Sequence, residues 1–275
     1  EHCIIELLKN GYSVKGSLRT MNREQEVRDA VKTETDDAKL EFCKLDLLDD
    51  DGWEDAMWDC DYLMHVASPF ILEEPKHKDE LLIPAKEGTL RALKAAKKAS
   101  IKRVVLTSSI VAMFSHLRSG SFNSSTWTDL NNTAMNTYQR SKTIAEQAAW
   151  DFINSQTGNT TLELSVINPG GVMGPTLGTD LDGASLSICS KLLNRKMPGI
   201  PNLRVPLVDV RDVAKCHMLA MENEKAEGHR FLCGGDFAWF SDLGAILREQ
   251  YPDRKIPKMN MPNWMVHFFG IFNGG

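Results

Sequence analysis

Short apolar runs alternate with helix-length segments along most of this chain, and that alternation restricts the fold more than any other feature. Tyr12–Leu18 (YSVKGSL), Leu40–Leu45 (LEFCKL), Tyr62–Val66 (YLMHV), Arg103–Thr107 (RVVLT) and Leu162–Ile167 (LELSVI) read as strands. His2–Asn10, Arg23–Thr33, Asp50–Trp58, Glu80–Ala99 and Asn136–Asn154 read as helices. Gly11 ends the first of them, and Pro84 sits near the start of the fourth. The strands are largely continuous apolar runs, as expected where both faces of a sheet are covered. Strands separated by helices of this length predict an α/β fold, a doubly wound parallel sheet. Beyond Pro175 the rhythm loosens, with helices predicted over 180–194, 210–223 and 240–250 and a strand over 229–233. The expected division is a sheet domain over 1–175 and a smaller lobe over 176–275, with 203–223 returning to the sheet.

Composition removes several classes of function. A chain of 275 residues, 42% apolar and 25% charged, is long enough for a substantial core. Its 32 basic and 37 acidic residues give a net charge of −5, the wrong sign for a surface that meets phosphates, so no nucleic-acid partner is expected. No apolar run approaches the roughly 18 residues of a membrane span, so no membrane partner is expected. The six cysteines form no C-x-x-C pair and none has zinc-ligand spacing with a histidine, which predicts no metal and reduced thiols in a cytoplasmic protein. With no secretory signal visible, the sequons at Asn123, Asn131 and Asn159 read as chance matches. The basic stretch Lys94–Arg103 reads as a solvated helix face, and His65 and His217 read as structural residues of a strand and a helix.

The chemistry gathers around Tyr138-Gln139-Arg140-Ser141-Lys142. Positions i and i+4 of a helix share a face one turn apart. A phenol titrates near pH 10, and a neighbouring ammonium favours the phenolate, so Lys142 is expected to lower the Tyr138 pKa and make a proton donor for a carbonyl. Upstream, Thr107-Ser108-Ser109 follows the strand RVVL directly. Groups just beyond the carboxyl ends of strands line the ligand crevice of a doubly wound sheet, so a hydroxyl there can bond the oxygen that the tyrosine protonates.

These residues, in this order, resemble a known family. Val104–Ser109 (VVLTSS), the Tyr138/Lys142 pair and Ile167–Pro175 (INPGGVMGP) look like an extended short-chain dehydrogenase/reductase with a Rossmann-like sheet. Cys60–Tyr62 leading into His65–Pro69, Ser141–Thr143 leading into Glu146–Trp150, and Val208–Ala214 narrow the likeness to the dihydroflavonol reductase-like branch, which includes NADPH-dependent aldehyde and ketone reductases. The resemblance runs from about residue 1 to 250. It implies that Ser109 orients the substrate carbonyl, Tyr138 moves the proton, and Lys142 tunes the tyrosine and holds the nicotinamide ribose. It further implies that Asp46 and Leu47 border an adenine, that Val66, Ala67 and Ser68 line the cofactor cleft with Thr107, and that Pro169, Gly170 and Val172 lie against the nicotinamide. The first domain would then bind the cofactor and the second a small-molecule carbonyl substrate, with Phe70 and Met113 helping to shape its pocket. The motifs leave the oligomeric state open.

Cofactor choice has its own physical reading. Enzymes using NAD place an acid at the end of the second strand, and those using NADP an arginine. Here Gly16-Ser17-Leu18-Arg19 has no acid, and Arg19 is in place with Arg23 one turn on, which favours NADP over NAD. Glu26 stands where the family often has a second basic residue. The family's phosphate loop, T-G-x-x-G-x-x-G, is absent. Matching the helix HCIIELLKNGY to the family puts the last loop glycine just before Glu1. The expectation is therefore a fragment lacking the central first strand, with unpaired inner edges on its neighbours, and of little activity alone. The apolar stretch Trp264–Phe272 reads as a second cut. Two other functions share the fold: a nucleotide-sugar epimerase or dehydratase, for which no sugar-nucleotide signature stands after Pro175, and a non-catalytic dinucleotide sensor, which commonly loses the Tyr or the Lys. Cinnamoyl-CoA reductases, in the same branch, typically carry W-Y-C-Y-x-x-K, and Asn136-Thr137-Tyr138-Gln139-Arg140-Ser141-Lys142 counts against that substrate.

Overall fold

The computed structural model describes residues 1–69, 75–114, 120–133, 135–157, 161–178 and 184–262. In chain order the elements are α1 (His2–Lys9), β1 (Val14–Leu18), α2 (Glu24–Lys32), β2 (Leu40–Lys44), α3 (Trp53–Met57), β3 (Tyr62–His65), α4 (Asp79–Lys98), β4 (Arg103–Thr107) and α5 (Thr137–Asn154). They continue with β5 (Glu163–Pro169), β6 (Gly171–Met173), α6 (Ala184–Leu193), β7 (Ile200–Pro201), β8 (Arg204–Asp209), α7 (Val210–Glu222), β9 (Arg230–Cys233), β10 (Phe237–Trp239), α8 (Phe240–Gln250) and β11 (Asn260–Met261).

Four strands form a parallel sheet in the order β3-β4-β5-β9. Side chains alternate across it. Val104, Leu106, Leu164 and Val166 pack with Leu93, Ala96 and Ala149 of α4 and α5. Val105 and Ile167 point the other way, onto Val213, Ala220 and Met221 of α7. Helices cover both faces, as the continuous apolar strands require, and the sheet is doubly wound and parallel. β1 and β2 pair in parallel as a separate two-stranded unit under α1 and α2, and among the described residues no ladder joins β1 to β3.

Two sequence expectations change. The sequence places Arg103 at the end of a solvated basic stretch, yet it is only 1% exposed. Its Nε donates to Glu163 Oε2 at 2.7 Å, and its Nη1 donates to the carbonyls of Ala220 (2.9 Å) and Asn223 (2.5 Å). The orphan carbonyls at the end of α7 thus hold a charge that would otherwise be costly to bury. The short strands β6, β7, β10 and β11 carry no signal in the sequence, and β8, inside the segment 203–223 expected to return to the sheet, joins a separate three-stranded sheet instead. Most have two or three residues, too few for a period, and β8 contains Pro206, which argues against a strand in the middle of a ladder. β8 nevertheless pairs with β6 on one side and β10 on the other. The C-terminal lobe packs on its own cluster of Leu192, Met197, Ile200, Phe240, Ile256 and Met261. Phe70 and Trp264–Phe272 lie outside the described residues.

Candidate active site

The start of α5 is set locally. Asn136 Oδ1 accepts from the Gln139 N–H at 2.8 Å, and Gln139 Oε1 accepts from the Asn136 N–H at 3.1 Å, a reciprocal cap that fixes the helix one residue before Tyr138. Tyr138, Lys142 and Glu146 then follow at helical spacing. Ser109 caps the 3₁₀ turn Ile110–Ala112 beyond β4. A cleft of about 400 Å³ opens there, lined by Thr107, Ser108, Ser109, Tyr138, Lys142, Pro169, Gly170 and Val172, together with Glu1 and His2 at the start of α1. His2 Nε2 lies 2.9 Å from the Pro175 carbonyl oxygen, which ties α1 to the same rim. A larger cavity of about 980 Å³ in the C-terminal lobe is lined by Arg195, Arg248, Arg254, Lys255 and Lys258, and none of Ser109, Tyr138 or Lys142 faces it. Volume alone therefore does not locate the chemistry.

Ser109 and Tyr138 line this cleft together. Burial pushes the Tyr138 phenol above its ordinary value, and Ser109 opposes that rise. This corrects the expectation that Lys142 would set the tyrosine below its normal range. Lys142 is itself buried, which brings its ammonium down to about 8, with the Glu146 carboxylate resisting the fall. His65, at the end of β3, is lowered to about 4, first by burial and then by the Lys142 charge, so its buried ring is neutral.

Beneath these groups lies a buried polar network that sequence reasoning missed. Glu146 is 1% exposed. Its Oε2 accepts from Ser108 Oγ (2.5 Å) and Asn168 Nδ2 (2.7 Å), and its Oε1 from Arg230 Nε (2.5 Å) and Trp150 Nε1 (3.3 Å). Asn168 Nδ2 also donates to the Ser109 carbonyl at 3.1 Å. Arg230 Nη1 reaches the carbonyls of Ser124 (3.1 Å) and Thr126 (2.6 Å), and its guanidinium lies 3.7 Å over the Trp127 ring. On the other face of the sheet, His217 Nδ1 is 2.8 Å from the Val213 carbonyl and Nε2 is 2.6 Å from Thr107 Oγ1. Nδ1 must therefore carry the proton in the neutral ring, and Thr107 donates to Nε2. The one signal in the sequence was Glu146, a further four residues along the face that carries Tyr138 and Lys142.

The remaining predicted residues are placed as follows. Arg19 follows β1, exposed and without an ion-pair partner among the described residues. Arg23 is taken up by Glu26 at 3.0 Å. Asp46 follows β2 and caps a turn through the Leu48 N–H at 2.9 Å, while Leu47 packs so closely on Gly88 that a Cβ there would come within 2.8 Å. Val66, Ala67 and Ser68 follow β3, with Val66 45% exposed. None of these seven lines the cleft itself. Met113 does not reach it either. The 3₁₀ turn directs Met113 inward, where it is fully buried, so its expected place against a substrate is withdrawn. Gly170 is required: a Cβ there would stand 2.2 Å from the Pro206 carbonyl oxygen.

A doubly wound sheet with serine, tyrosine and lysine converging beyond its carboxyl edge defines the class, an oxidoreductase-type site on a dinucleotide-binding fold. Comparison with known proteins agrees. The model of the NAD dependent epimerase/dehydratase family matches residues 1–234, and the chain belongs to that family. It is 36% identical over 259 residues to the cinnamoyl-CoA reductase CAD2 of Medicago truncatula, covering 92% of this chain and 77% of that protein. It is 30% identical over 282 residues to the NADPH-dependent methylglyoxal reductase GRE2 of Saccharomyces cerevisiae, covering 95% and 81%. The crystal structure of yeast methylglyoxal/isovaleraldehyde reductase Gre2 complexed with NADPH superposes with a TM-score of 0.81 at 30% identity, over 94% of this chain and 81% of that one.

Proposed function

We propose that this chain is an NADPH-dependent reductase that converts a small aldehyde or ketone to the alcohol. The observation that carries the reading is the one cleft that Ser109, Tyr138 and Lys142 line together beyond the end of β4. Two hydroxyls so placed bracket one carbonyl oxygen. Ser109 orients it by donating a hydrogen bond, and Tyr138 delivers the proton. A phenol raised by burial keeps its proton at neutral pH, which suits a donor in the direction of reduction. Lys142 remains cationic below about pH 8 and favours the phenolate left behind.

The residues fit a nicotinamide dinucleotide. Glu1 and His2 bring the N-terminal end of α1 to the cleft, Gly170 brings bare backbone to its wall, and Arg19 stands where a 2′-phosphate is read, with no acid beside it. When bound, NADPH supplies the hydride. Arg19, Asp46, Leu47, Val66, Ala67, Ser68, Thr107, Lys142, Pro169, Gly170 and Val172 form its track. We assign cofactor binding to residues 1–175 and the carbonyl substrate to 176–275 together with Phe70. Six free cysteines suit a reducing cytoplasm. No described helix is long and apolar enough to cross a membrane.

The test measures NADPH and NADH binding by fluorescence, then cofactor oxidation with methylglyoxal, aliphatic and aromatic aldehydes and ketones, and a nucleoside-diphosphate sugar. NADPH oxidation with one of the simple carbonyls is expected, falling on the order of 10²-fold or more in Tyr138→Phe. Turnover of the sugar nucleotide alone, or an unimpaired Tyr138→Phe, would overturn the proposal.

A further inference from the structure

The cavity of about 980 Å³ in the C-terminal lobe shares no lining residue with the cleft, and its wall is charged against the sign of the chain. Arg195, Arg248, Arg254, Lys255 and Lys258 line it, with Glu249 the single acidic residue on the wall. A chain of net charge −5 thus gathers five cations around one concavity. Like charges on one wall repel one another, and the ordinary relief is an ion pair. None of the five has one among the described residues. Arg195, Arg254, Lys255 and Lys258 are exposed, and Arg248 is half-buried.

The backbone sets this wall. Helix α6 ends in a left-handed turn, in which the Lys196 N–H donates to the Lys191 carbonyl at 2.8 Å and the Arg195 N–H to that of Leu192 at 3.2 Å. Arg195 occupies the left-handed position of the turn, with φ 54°, where glycine is favoured. A long cation therefore stands at the cavity where the turn itself calls for no side chain. Arg248, in the last turn of α8, donates through Nη1 to the Pro257 carbonyl at 2.7 Å. That bond holds the guanidinium at the wall and leaves its other N–H groups without a partner among the described residues. Pro198, Pro252 and Pro257 stiffen the same wall. Met197 and Ile256 floor it and belong to the buried cluster of the lobe. Among the described residues no aromatic side chain lines it.

We propose that this cavity is a binding site for a small polyphosphate, two or three phosphates in a row, either free or carried by a nucleotide. Guanidinium forks match phosphate oxygens in pairs, and lysines add point charges beside them. Five cations answer several phosphates, whereas a single phosphate leaves most of them unmatched. With no aromatic face on which a base could stack, the site reads the phosphates and not the base. Its volume is that of a small-molecule site. The proposal does not depend on the reductase reading.

Isothermal titration calorimetry of the chain with tripolyphosphate, ATP and inorganic phosphate tests it. Tripolyphosphate is expected to bind one to one, with ATP within about threefold of it and inorganic phosphate at least about 10-fold weaker. Added salt should weaken all three. Arg195→Gly removes a cation and supplies the residue that the left-handed turn favours. It should therefore melt no lower than the parent while tripolyphosphate binding falls about 10-fold. Arg254→Ala should weaken binding similarly, and Arg19→Ala, on the proposed cofactor track, should leave it unchanged. An affinity that survives Arg195→Gly and Arg254→Ala together, or that disappears in Arg19→Ala, overturns the proposal. So does binding of ATP without binding of tripolyphosphate, or no saturable heat with either up to about 1 mM.

Discussion

Replacing Lys142 with methionine separates the stability of this site from its chemistry. The ammonium is held at about 8 in the folded chain, chiefly by burial, against an ordinary value of 10.5. That gap means that carrying the charge costs the folded state about 3 kcal/mol at pH 7. The unfolded chain keeps this proton up to pH 10.5, whereas the folded chain gives it up near pH 8. The cost is therefore full below pH 8 and fades as the pH rises from 8 to 10.5. Methionine fills a similar space without charge, and Glu146 keeps its Arg230 partner at 2.5 Å, so the change strands no carboxylate. At about 2 °C per kcal/mol for a chain of this size, Lys142→Met should melt about 6 °C above the parent at pH 7. The two melting curves should converge toward pH 10.5, while carbonyl reduction is lost. Thermal melts of both proteins across that pH range read the difference directly, because titrations they share cancel. A variant that melts below the parent at pH 7, or whose advantage does not change with pH, refutes the reasoning.

Glu146→Gln leaves the Arg230 guanidinium buried without its counter-charge and should cost about 3–5 kcal/mol by chemical denaturation. Adding Arg230→Met should recover most of that loss, since no buried charge is then left without its counter-charge. Gly170→Ala drives a methyl into the Pro206 carbonyl and should destabilise by at least about 1–3 kcal/mol, lowering the melting temperature. Arg19→Ala should weaken NADPH binding about 10-fold or more, as expected for a lost hydrogen bond to a charged group, and leave NADH binding nearly unchanged in the same fluorescence titration.

Much of the scaffold was legible because its causes are local. The strands 103–107 and 162–167 declare themselves as apolar runs between helices. The Asn136/Gln139 cap and the four-residue spacing of Tyr138 and Lys142 are written within seven residues. What escaped has causes distant in sequence. Nothing near Arg103 tells that it will lie under the end of α7, and nothing near His217 names Thr107 as its partner. The Tyr138 pKa was misjudged for the same reason. The sequence shows the cation one turn away, but burial, the larger influence, is a property of the assembled cleft.

The same distance effect bears on how the chain is divided. A boundary near residue 175 follows the change in rhythm, yet the site does not respect it. Ser109 is steadied on one side by Asn168, which bonds its carbonyl, and on the other by Ser108, which is bonded to Glu146. Both anchors converge on the Glu146 carboxylate, and that carboxylate is neutralised by Arg230 from β9. Removing Arg230 would leave a buried charge beneath Ser108 and Asn168, with an uncompensated cost of several kcal/mol concentrated where Ser109 is positioned. Thr107 likewise depends on His217 of α7. The first 175 residues therefore carry Ser109, Tyr138 and Lys142, while residues beyond 200 hold two of the supports that keep this part of the cleft in register, and the cleft is a property of the interleaved chain rather than of its first 175 residues.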